Sequence, residues 1–303
     1  MQYTDVVEPI TIRNIAICFF GEFRVGGICY DQLKKFFSIE GINVDFFAST
    51  KDYISRDHGA YQKADLENLN LTDFKKIKIL SPADEIEYTE SNDWGRPKKM
   101  FQSMIDSVML KQQYEAENDI VYDMTVLHRF DVINYHTDYF RNLVARLQNK
   151  NINDFNSLNK NILFSQSIQG FEIERGKVSG LSTHKDLMLI GLGTSLDLFV
   201  LSLMTEVVEK DPGLFSYKMP EYGTICPHHA VPLHYNRVNL NVVEMPRVSS
   251  SGDIAFMGEG DYDSFKDLKS IIIRDDELIH GLVELFPGQD IFDIIFSTVD
   301  KSS

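Results

Sequence analysis

The chain has 303 residues, and its 45 acidic and 30 basic side chains give a formal net charge of −15. Such a surface repels phosphate backbones and anionic lipid, so the composition disfavours nonspecific binding to nucleic acid or to a membrane surface. Hydrophobic residues make up 43% of the chain and aromatic residues 12%, which is enough for a substantial core and excludes wholesale disorder.

Cysteine use and the amino terminus indicate the compartment. Cys18, Cys29 and Cys226 are scattered without a C-x-x-C pair, which predicts a reducing compartment and no disulfide framework. Cys18 lies in an apolar run and is expected in the core. Residues 1–9 lack the basic region of a secretory signal, and no apolar run approaches the roughly 20 residues that cross a bilayer. We therefore expect a cytoplasmic protein without a membrane span.

The first part of the chain alternates predicted strands and helices. The apolar run Ile15–Phe20 predicts a buried parallel strand that ends in a loop at Gly21. A helix is expected over Tyr30–Phe37, with strands over Val44–Ala48 and Lys76–Leu80. This alternation is the pattern of a parallel or mixed α/β sheet.

The alternation continues beyond these elements. The spacing of apolar residues predicts further helices over Lys99–Glu117, Asp138–Gln148, Ser195–Glu209 and Asp276–Phe286, and further strands over Tyr122–Leu127, Ile162–Ile168, Lys185–Gly191, Val238–Glu244 and Lys269–Arg274. No linker separates two independent domains. We predict one α/β domain over residues 1–245 and a C-terminal extension over residues 246–303 that packs on it.

The segment Val121–Asp131 gives the most informative pattern for a functional site. Its β-forming residues end at Leu127, and His128, Arg129 and Asp131 follow where the strand should end. Ligands of open α/β sheets bind outside the carboxyl ends of strands. A cation and a carboxylate placed there can hold a nucleotide phosphate and a divalent metal. An internal ion pair at the rim of the sheet is the structural alternative.

The loop after the first predicted strand combines glycines with an arginine, at Gly21, Arg24, Gly26 and Gly27. Glycine lets the backbone approach a phosphate, and Arg24 can make a bidentate phosphate contact. The spacing matches neither the Walker A pattern nor G-x-G-x-x-G. An ordinary β–α turn is the alternative interpretation.

Three further residues are candidates for substrate contacts. Asp186 precedes the apolar residues of the strand predicted over Lys185–Gly191, and Glu221 lies in a Pro-Glu turn. Either carboxylate can deprotonate or orient an acceptor hydroxyl. Trp94 lies in a polar loop, where it can stack on a sugar or a base. The alternatives are two plain surface acids and an aromatic plug of the loop.

Three histidines, His228, His229 and His234, invite a metal-binding interpretation because histidine is a common ligand. Their spacing lacks the H-E-x-x-H pattern, and solvated or core-capping histidines are the alternative. We predict that His234 completes a metal site begun by Asp131.

Taken in order, these pieces resemble a family of small nucleotide-sugar glycosyltransferases with the GT-A fold, which includes capsule and viral enzymes. The resemblance covers about residues 13–245. It rests on a Gly-x-x-Arg loop at residues 21–24, a tyrosine–aspartate, strand, Arg-x-Asp segment at 122–131, an Asp-apolar-Gly strand at 186–191 and a Pro-Glu turn at 220–221.

The resemblance implies a GT-A-like (Rossmann-like) mixed sheet flanked by helices, and transfer of a sugar from a nucleotide-diphosphate sugar to an acceptor hydroxyl. It implies that Gly21 and Arg24 contact the nucleotide and that Asp131 holds Mn²⁺ or Mg²⁺. It also implies that Asp186 and Glu221 lie near the acceptor. This chain has Arg129 where many members of the fold carry a second acid, so Arg129 is expected to contact the diphosphate.

The acceptor is expected to be a glycan or another hydroxyl compound, with modified nucleic acid as the less favoured acceptor. Two other functions stay open: a metal-dependent hydrolase built on Asp131, Asp186 and the three histidines, and a catalytically inactive nucleotide-sugar-binding protein. The sequence does not distinguish inversion from retention at the anomeric carbon.

Overall fold

The computed structural model describes residues 10–23, 26–55, 61–64, 66–67, 69–84, 95–130, 132–134, 139–148, 162–168, 183–209, 238, 240–245, 248–251, 254–257 and 270–272, at some of which only the backbone is described.

The strands of this part of the chain are β1 (Asn14–Phe20), β2 (Asn43–Lys51), β3 (Tyr53–Ser55), β4 (Tyr61–Lys63), β5 (Phe74–Leu80), β6 (Met124–Arg129), β7 (Val132–Asn134), β8 (Ile162–Ile168), β9 (Thr183–Leu192), β10 (Asn241–Met245), β11 (Val248–Ser251), β12 (Ile254–Met257) and β13 (Ser270–Ile272). The α-helices are α1 (Gly26–Phe37), α2 (Gly95–Asn118), α3 (Tyr139–Gln148) and α4 (Ser195–Glu209).

A seven-stranded mixed sheet forms the centre of the described structure, with the strand order β10-β8-β9-β6-β1-β2-β5. β9 runs antiparallel to its neighbours β6 and β8, and the other neighbouring strands are parallel. The pairs β3–β4, β7–β13 and β11–β12 are antiparallel and two-stranded.

The winding of the chain reverses at β1. From β1 it proceeds outwards to β2 and β5, and after α2 it returns to β6 on the other side of β1. The order β5-β2-β1-β6 is the 3-2-1-4 arrangement of doubly wound α/β folds. The topological switch point therefore lies between β1 and β6.

Helices cover both faces of the sheet, and β1 supplies side chains to both layers because successive residues of a strand point to opposite faces. One layer contains α1 and α3, whose core residues include Leu33, Phe37, Phe140 and Leu143, packed with Ile15, Ile17 and Phe19. The other contains α2 and α4, whose core residues include Phe101, Met104, Leu196 and Phe199, packed with Ala16, Cys18 and Phe20.

The predicted fold class, an α/β fold with a Rossmann-like mixed sheet flanked by helices, is confirmed. β8 and α4 have the predicted bounds. Cys18 is fully buried in the core, as predicted, and burial raises the pKa of its thiol. No helix in the described ranges is long and apolar enough to cross a membrane.

Three of the wrong boundaries bear on the candidate site. α1 begins at Gly26, so the two glycines assigned to a loop form the first helical turn. β2 continues to Lys51 and β6 to Arg129, beyond the apolar residues that marked their predicted ends. Their polar ends stay in the sheet because ladder pairing with β1 continues, since Phe20 pairs with both Ser49 and Arg129.

The predicted helix over residues 276–286 lies outside the described residues. Within the predicted C-terminal extension, β13 pairs with β7, so Ile271 lies beside Ile133. The division into residues 1–245 and 246–303 stays a prediction.

A buried lysine joins α2 to α4. The side chain of Lys111 is 1% exposed, and its Nζ lies 2.9 Å from Oδ1 of Asp197 and 3.0 Å from Oε2 of Glu115. Burial acts to lower the pKa of Lys111, but the charge and hydrogen bond of Asp197, with smaller effects of Cys18 and Glu115, raise it above its ordinary value. Lys111 is therefore charged at neutral pH and holds the two helices together beneath the sheet.

Lys111→Met is expected to lower the free energy of unfolding by about 3 kcal/mol, because it leaves the largely buried carboxylate of Asp197 without its cation. Lys76→Met is the matched control, since Glu117, the partner of Lys76, is 58% exposed. The control should lose less than about 1 kcal/mol. Urea denaturation measures both, and equal losses would contradict the structural role of Lys111.

Candidate active site

The carboxyl ends of β1, β2 and β6 meet at one edge of the sheet. Phe20 of β1 pairs with Ser49 of β2 on one side and with Arg129 of β6 on the other. Because the topological switch point lies between β1 and β6, the crevice outside these ends is where open α/β sheets bind ligands. Two of the predicted site residues, Gly21 and Arg129, lie at this edge.

The turn at Gly21 is held by hydrogen bonds to two neighbouring elements. Gly21 has φ +93°, a backbone conformation that favours glycine. Its N–H donates to Oγ of Ser103 on α2 at 3.0 Å, and the Ser103 hydroxyl donates to the carbonyl of Ser49 at 2.9 Å. The N–H of Phe130 donates to the carbonyl of Phe20 at 3.3 Å. The end of β1 is thus fixed from both sides.

Arg129 is the last residue of β6 and is half-buried. His128 beside it is fully buried, and its ring lies edge-on to Phe19 and Phe37 with centroid distances of 6.0 and 5.2 Å. Nδ1 of His128 lies 2.6 Å from the carbonyl oxygen of Arg129, which can only accept, so this nitrogen carries a proton. His128 is therefore a core residue, and the backbone of Arg129, paired with Phe20, lies at the carboxyl edge of the sheet.

A second cation lies at the same edge and was missed by the sequence analysis. Lys51, the last residue of β2, is 8% exposed, and its Nζ lies 3.9 Å from Oε1 of Glu22 in the segment after β1. The ammonium also lies 5.0 Å from the centre of the Tyr53 ring. The available signal in the sequence was the polar run that follows the predicted second strand. The register of β2 with β1 places this run at the carboxyl edge of the sheet.

Polar atoms near the end of β2 are buried without a hydrogen-bond partner in the described structure. They are Oγ of Ser49, Oγ1 of Thr50 and Oδ1 of Asp52. Buried polar atoms are nearly always hydrogen-bonded in folded proteins, so such exceptions require a specific explanation. All three residues lie within two positions of Lys51 in the sequence, and a polar ligand at this edge is one explanation.

The tyrosine–aspartate pair before β6 has a structural role. The hydroxyl of Tyr122 donates to Oδ2 of Asp45 at 2.7 Å in the core, and burial, then that carboxylate, raise the pKa of Tyr122. Asp123 accepts from the backbone N–H groups of Arg13 and Asn14 at 2.7 and 2.9 Å. Both residues lie at the amino end of β1, opposite the candidate site.

Asp186 lies within β9, which begins at Thr183, two residues before the predicted start at Lys185. β9 is antiparallel to β6, and Met188 pairs with His128. The backbone of Asp186, two residues earlier, therefore reaches the same edge of the sheet as Arg129. The structure describes its backbone and not its side chain.

Gly191, which ends the Asp-apolar-Gly pattern, is required by packing. A Cβ atom at this position would lie 2.9 Å from the backbone N of Leu196 at the start of α4. α4 therefore begins in close contact with β9, and this glycine has a structural role in the fold.

The remaining predicted site residues lie outside the described residues. They are Arg24, Trp94, Asp131, Glu221, His228, His229 and His234. Among the residues that are described, no group of three or more His, Cys, Asp or Glu side chains could hold a metal ion. The metal site at Asp131 and His234 stays a prediction.

The fold and the site together define an α/β protein whose basic residues Lys51 and Arg129 lie at the carboxyl edge of the sheet, beside the topological switch point. No protein-family model matches the chain, and no curated protein matches its sequence.

Two solved structures are similar to the chain at low sequence identity. One is a CMP:2-keto-3-deoxy-manno-octonic acid synthetase complexed with CTP, with 8% identity, a TM-score of 0.34 and coverage of 77% of this chain and 88% of that chain. The other is a nucleoside-diphosphate-sugar pyrophosphorylase from Vibrio cholerae RC9, with 9% identity, a TM-score of 0.28 and coverage of 76% and 90%. Similarities at these TM-scores do not assign a family.

Gly21→Ala is expected to lower the free energy of unfolding by about 1–2 kcal/mol, because an L side chain is strained at positive φ. A Cβ atom there would meet nothing within 4 Å, so no clash adds to this cost. Gly21→Asn should lose less, since asparagine tolerates positive φ better than alanine. Chemical denaturation of both variants measures the difference, and an unchanged stability of Gly21→Ala would contradict the described turn.

Proposed function

We propose that the chain is a glycosyltransferase that moves a sugar from a nucleotide-diphosphate sugar to an acceptor hydroxyl. The donor would bind at the carboxyl edge of the sheet, around Gly21, Lys51 and Arg129. The observation that carries this proposal is the position of a glycine turn and two basic residues at the carboxyl ends of β1, β2 and β6, beside the switch point. The order of the sequence motifs is the second support.

The charge of the protein makes local cations necessary for a diphosphate ligand. The chain has a net charge of −15, so an anionic donor binds only where basic side chains oppose the overall field. Lys51 and Arg129 end the two strands that flank β1. Adjacent strands lie about 4.8 Å apart, so these two strand ends are roughly 10 Å apart, a span that a nucleoside diphosphate can bridge.

The reaction would be a displacement at the anomeric carbon of the donor sugar. The bond from this carbon to the diphosphate oxygen breaks, and a bond to the acceptor oxygen forms. In an inverting reaction a carboxylate takes the acceptor proton, and we assign this role to Asp186, with Glu221 as the alternative base. Arg24 and Arg129 would stabilise the negative charge that develops on the leaving diphosphate, and Trp94 would stack on the nucleotide sugar.

A divalent ion, Mn²⁺ or Mg²⁺, is part of the proposal. Asp131 would hold it, with His234 as a further ligand, and the ion would supply additional stabilisation of diphosphate charge. The buried neighbours of Asp131 in sequence, Phe130 and Val132, lie at the carboxyl edge beside Arg129. The metal-dependent hydrolase stays the alternative, with tight metal binding in the absence of nucleotide as its distinguishing property.

A thermal-shift screen tests donor binding. UDP-glucose, GDP-mannose, dTDP-glucose and the free nucleoside diphosphates are tested with and without Mn²⁺, and hits are followed by assays of sugar transfer and donor hydrolysis. A ligand at 100 times its Kd stabilises the folded state by about 2.7 kcal/mol, which raises the Tm measurably. The proposal is wrong if no nucleotide sugar and no nucleoside diphosphate raises the Tm.

Asp131→Ala is expected to abolish metal-enhanced turnover while the fold stays intact. Asp31→Asn is the control, because Asp31 is a 68% exposed acid on α1. Turnover is measured against Mn²⁺ concentration, and circular dichroism reports the fold. Normal metal-enhanced activity of Asp131→Ala would remove the central metal assignment.

Lys51→Met is expected to raise the Kd for the nucleoside diphosphate about tenfold or more, which corresponds to about 1.4 kcal/mol. The substitution removes the charge and keeps much of the side-chain volume. Lys51→Arg should retain most of the affinity, and Lys76→Met, in an exposed ion pair on β5, should retain all of it. Isothermal titration calorimetry measures the three variants. Wild-type affinity of Lys51→Met would exclude Lys51 from the donor site.

A further inference from the structure

Ser103 joins three elements through one buried hydroxyl. It lies on α2 with 2% of its surface exposed. The hydroxyl accepts from the N–H of Gly21, which follows β1, and donates to the carbonyl of Ser49 in β2. At 3.0 and 2.9 Å, both contacts have ordinary hydrogen-bond lengths. A helix in one layer of the fold thereby fixes the turn at the switch point.

The hydrogen-bond partners of the Ser103 hydroxyl differ from those of Ser107, the other serine of α2. Serine hydroxyls inside helices commonly bond to a carbonyl of the preceding turn. Ser107, one turn later on the same helix and fully buried, does so, because its hydroxyl donates to the carbonyl of Met104 at 2.9 Å. Ser103 directs its hydroxyl out of the helix and to the end of the sheet. The two serines therefore differ in the partners of their hydroxyls while sharing residue type, helix and burial.

Removal of the Ser103 hydroxyl would release the turn at Gly21. The N–H of Gly21 would lose its partner in a partly buried position, and the backbone at φ +93° would lose its tie to α2. Another hydrogen bond near this end, from the N–H of Phe130 to the carbonyl of Phe20, is longer, at 3.3 Å. The segment after β1 would then sample other conformations.

We propose that Ser103 is a positioning residue for the donor: its hydroxyl holds the turn at Gly21 in the geometry that receives the nucleoside diphosphate. This inference rests on the proposed function, since it assigns a role at the same site. Ser103 acts through Gly21 and not by touching the substrate. If the competent turn is populated for only a fraction of the time, the apparent Kd rises by the inverse of that fraction.

The test compares Ser103→Ala with Ser107→Ala in the full-length chain. The probe is the nucleoside diphosphate that gives the largest thermal shift with the wild type. The Kd is measured by calorimetry at a temperature well below the Tm of every variant, and the KM for the nucleotide sugar and kcat are measured alongside. Ser103→Thr, which retains the hydroxyl, is the conservative variant.

Ser103→Ala should raise the Kd and the KM about tenfold with a smaller change in kcat, and Ser103→Thr should recover most of the affinity. Ser107→Ala should bind within about twofold of the wild type, because its hydroxyl bonds only to its own helix in the described structure. A merely structural serine would not produce this separation. If Ser103→Ala does not fold, Ser103→Cys takes its place with the same expectation, since a thiol is a weak hydrogen-bonding group.

Three results have distinct meanings. Wild-type affinity of the Ser103→Ala variant would overturn the role of Ser103. Equal losses of affinity in the Ser103→Ala and Ser107→Ala variants would also overturn it, because they would indicate general destabilisation. A wild-type protein that binds no nucleoside diphosphate and no nucleotide sugar would refute the proposed function itself, and the inference about Ser103 with it.

Discussion

The parallel pairing of β1 on both sides is the constraint on which the site depends. Residues Ile15–Phe20 are at most 1% exposed, because helices cover both faces of this strand and β2 and β6 flank it. Since all three strands point the same way, their carboxyl ends meet at one edge. This brings Gly21, Lys51 and Arg129 together although they are far apart in the sequence. The winding of the chain reverses at β1, and the carboxyl edge at such a reversal is where doubly wound sheets bind ligands.

The two buried lysines of the described structure show how charge is treated in different parts of the fold. Lys111 lies within hydrogen-bond length of carboxylates of Asp197 and Glu115, so its charge is matched in the interior. Lys51 lies at the carboxyl edge, and its ion pair with Glu22, at 3.9 Å, is longer than a hydrogen bond. Burial of a charge costs several kcal/mol unless good geometry compensates it. Lys111 therefore joins two helices in the interior, whereas Lys51 places a positive charge at the carboxyl edge of the sheet.

Much of the fold was predictable because hydrophobic periodicity reports burial directly. The run Ile15–Phe20 and the helix Ser195–Glu209 were found in this way. The ends of β2 and β6 were misplaced because a polar residue such as Lys51 stays in a strand when its neighbour continues the ladder, and this register is not visible along the chain. The position of Arg129 at the carboxyl edge was predictable because a charge after an apolar strand is a local signal. Ser103 was not, because a serine inside a helix gives no indication of which strands its hydroxyl will reach.

Hydrogen–deuterium exchange of the full chain, with and without the nucleoside diphosphate that binds most tightly, tests the central claim most directly. The account predicts that the ligand slows exchange in peptides that contain Gly21, Lys51 and Arg129, which come from three separate parts of the sequence. Peptides that contain Gly41, at the opposite edge of the sheet, should exchange at an unchanged rate. Slower exchange confined to other regions, with no change in the peptides around Gly21 and Arg129, would contradict a donor site at the switch point.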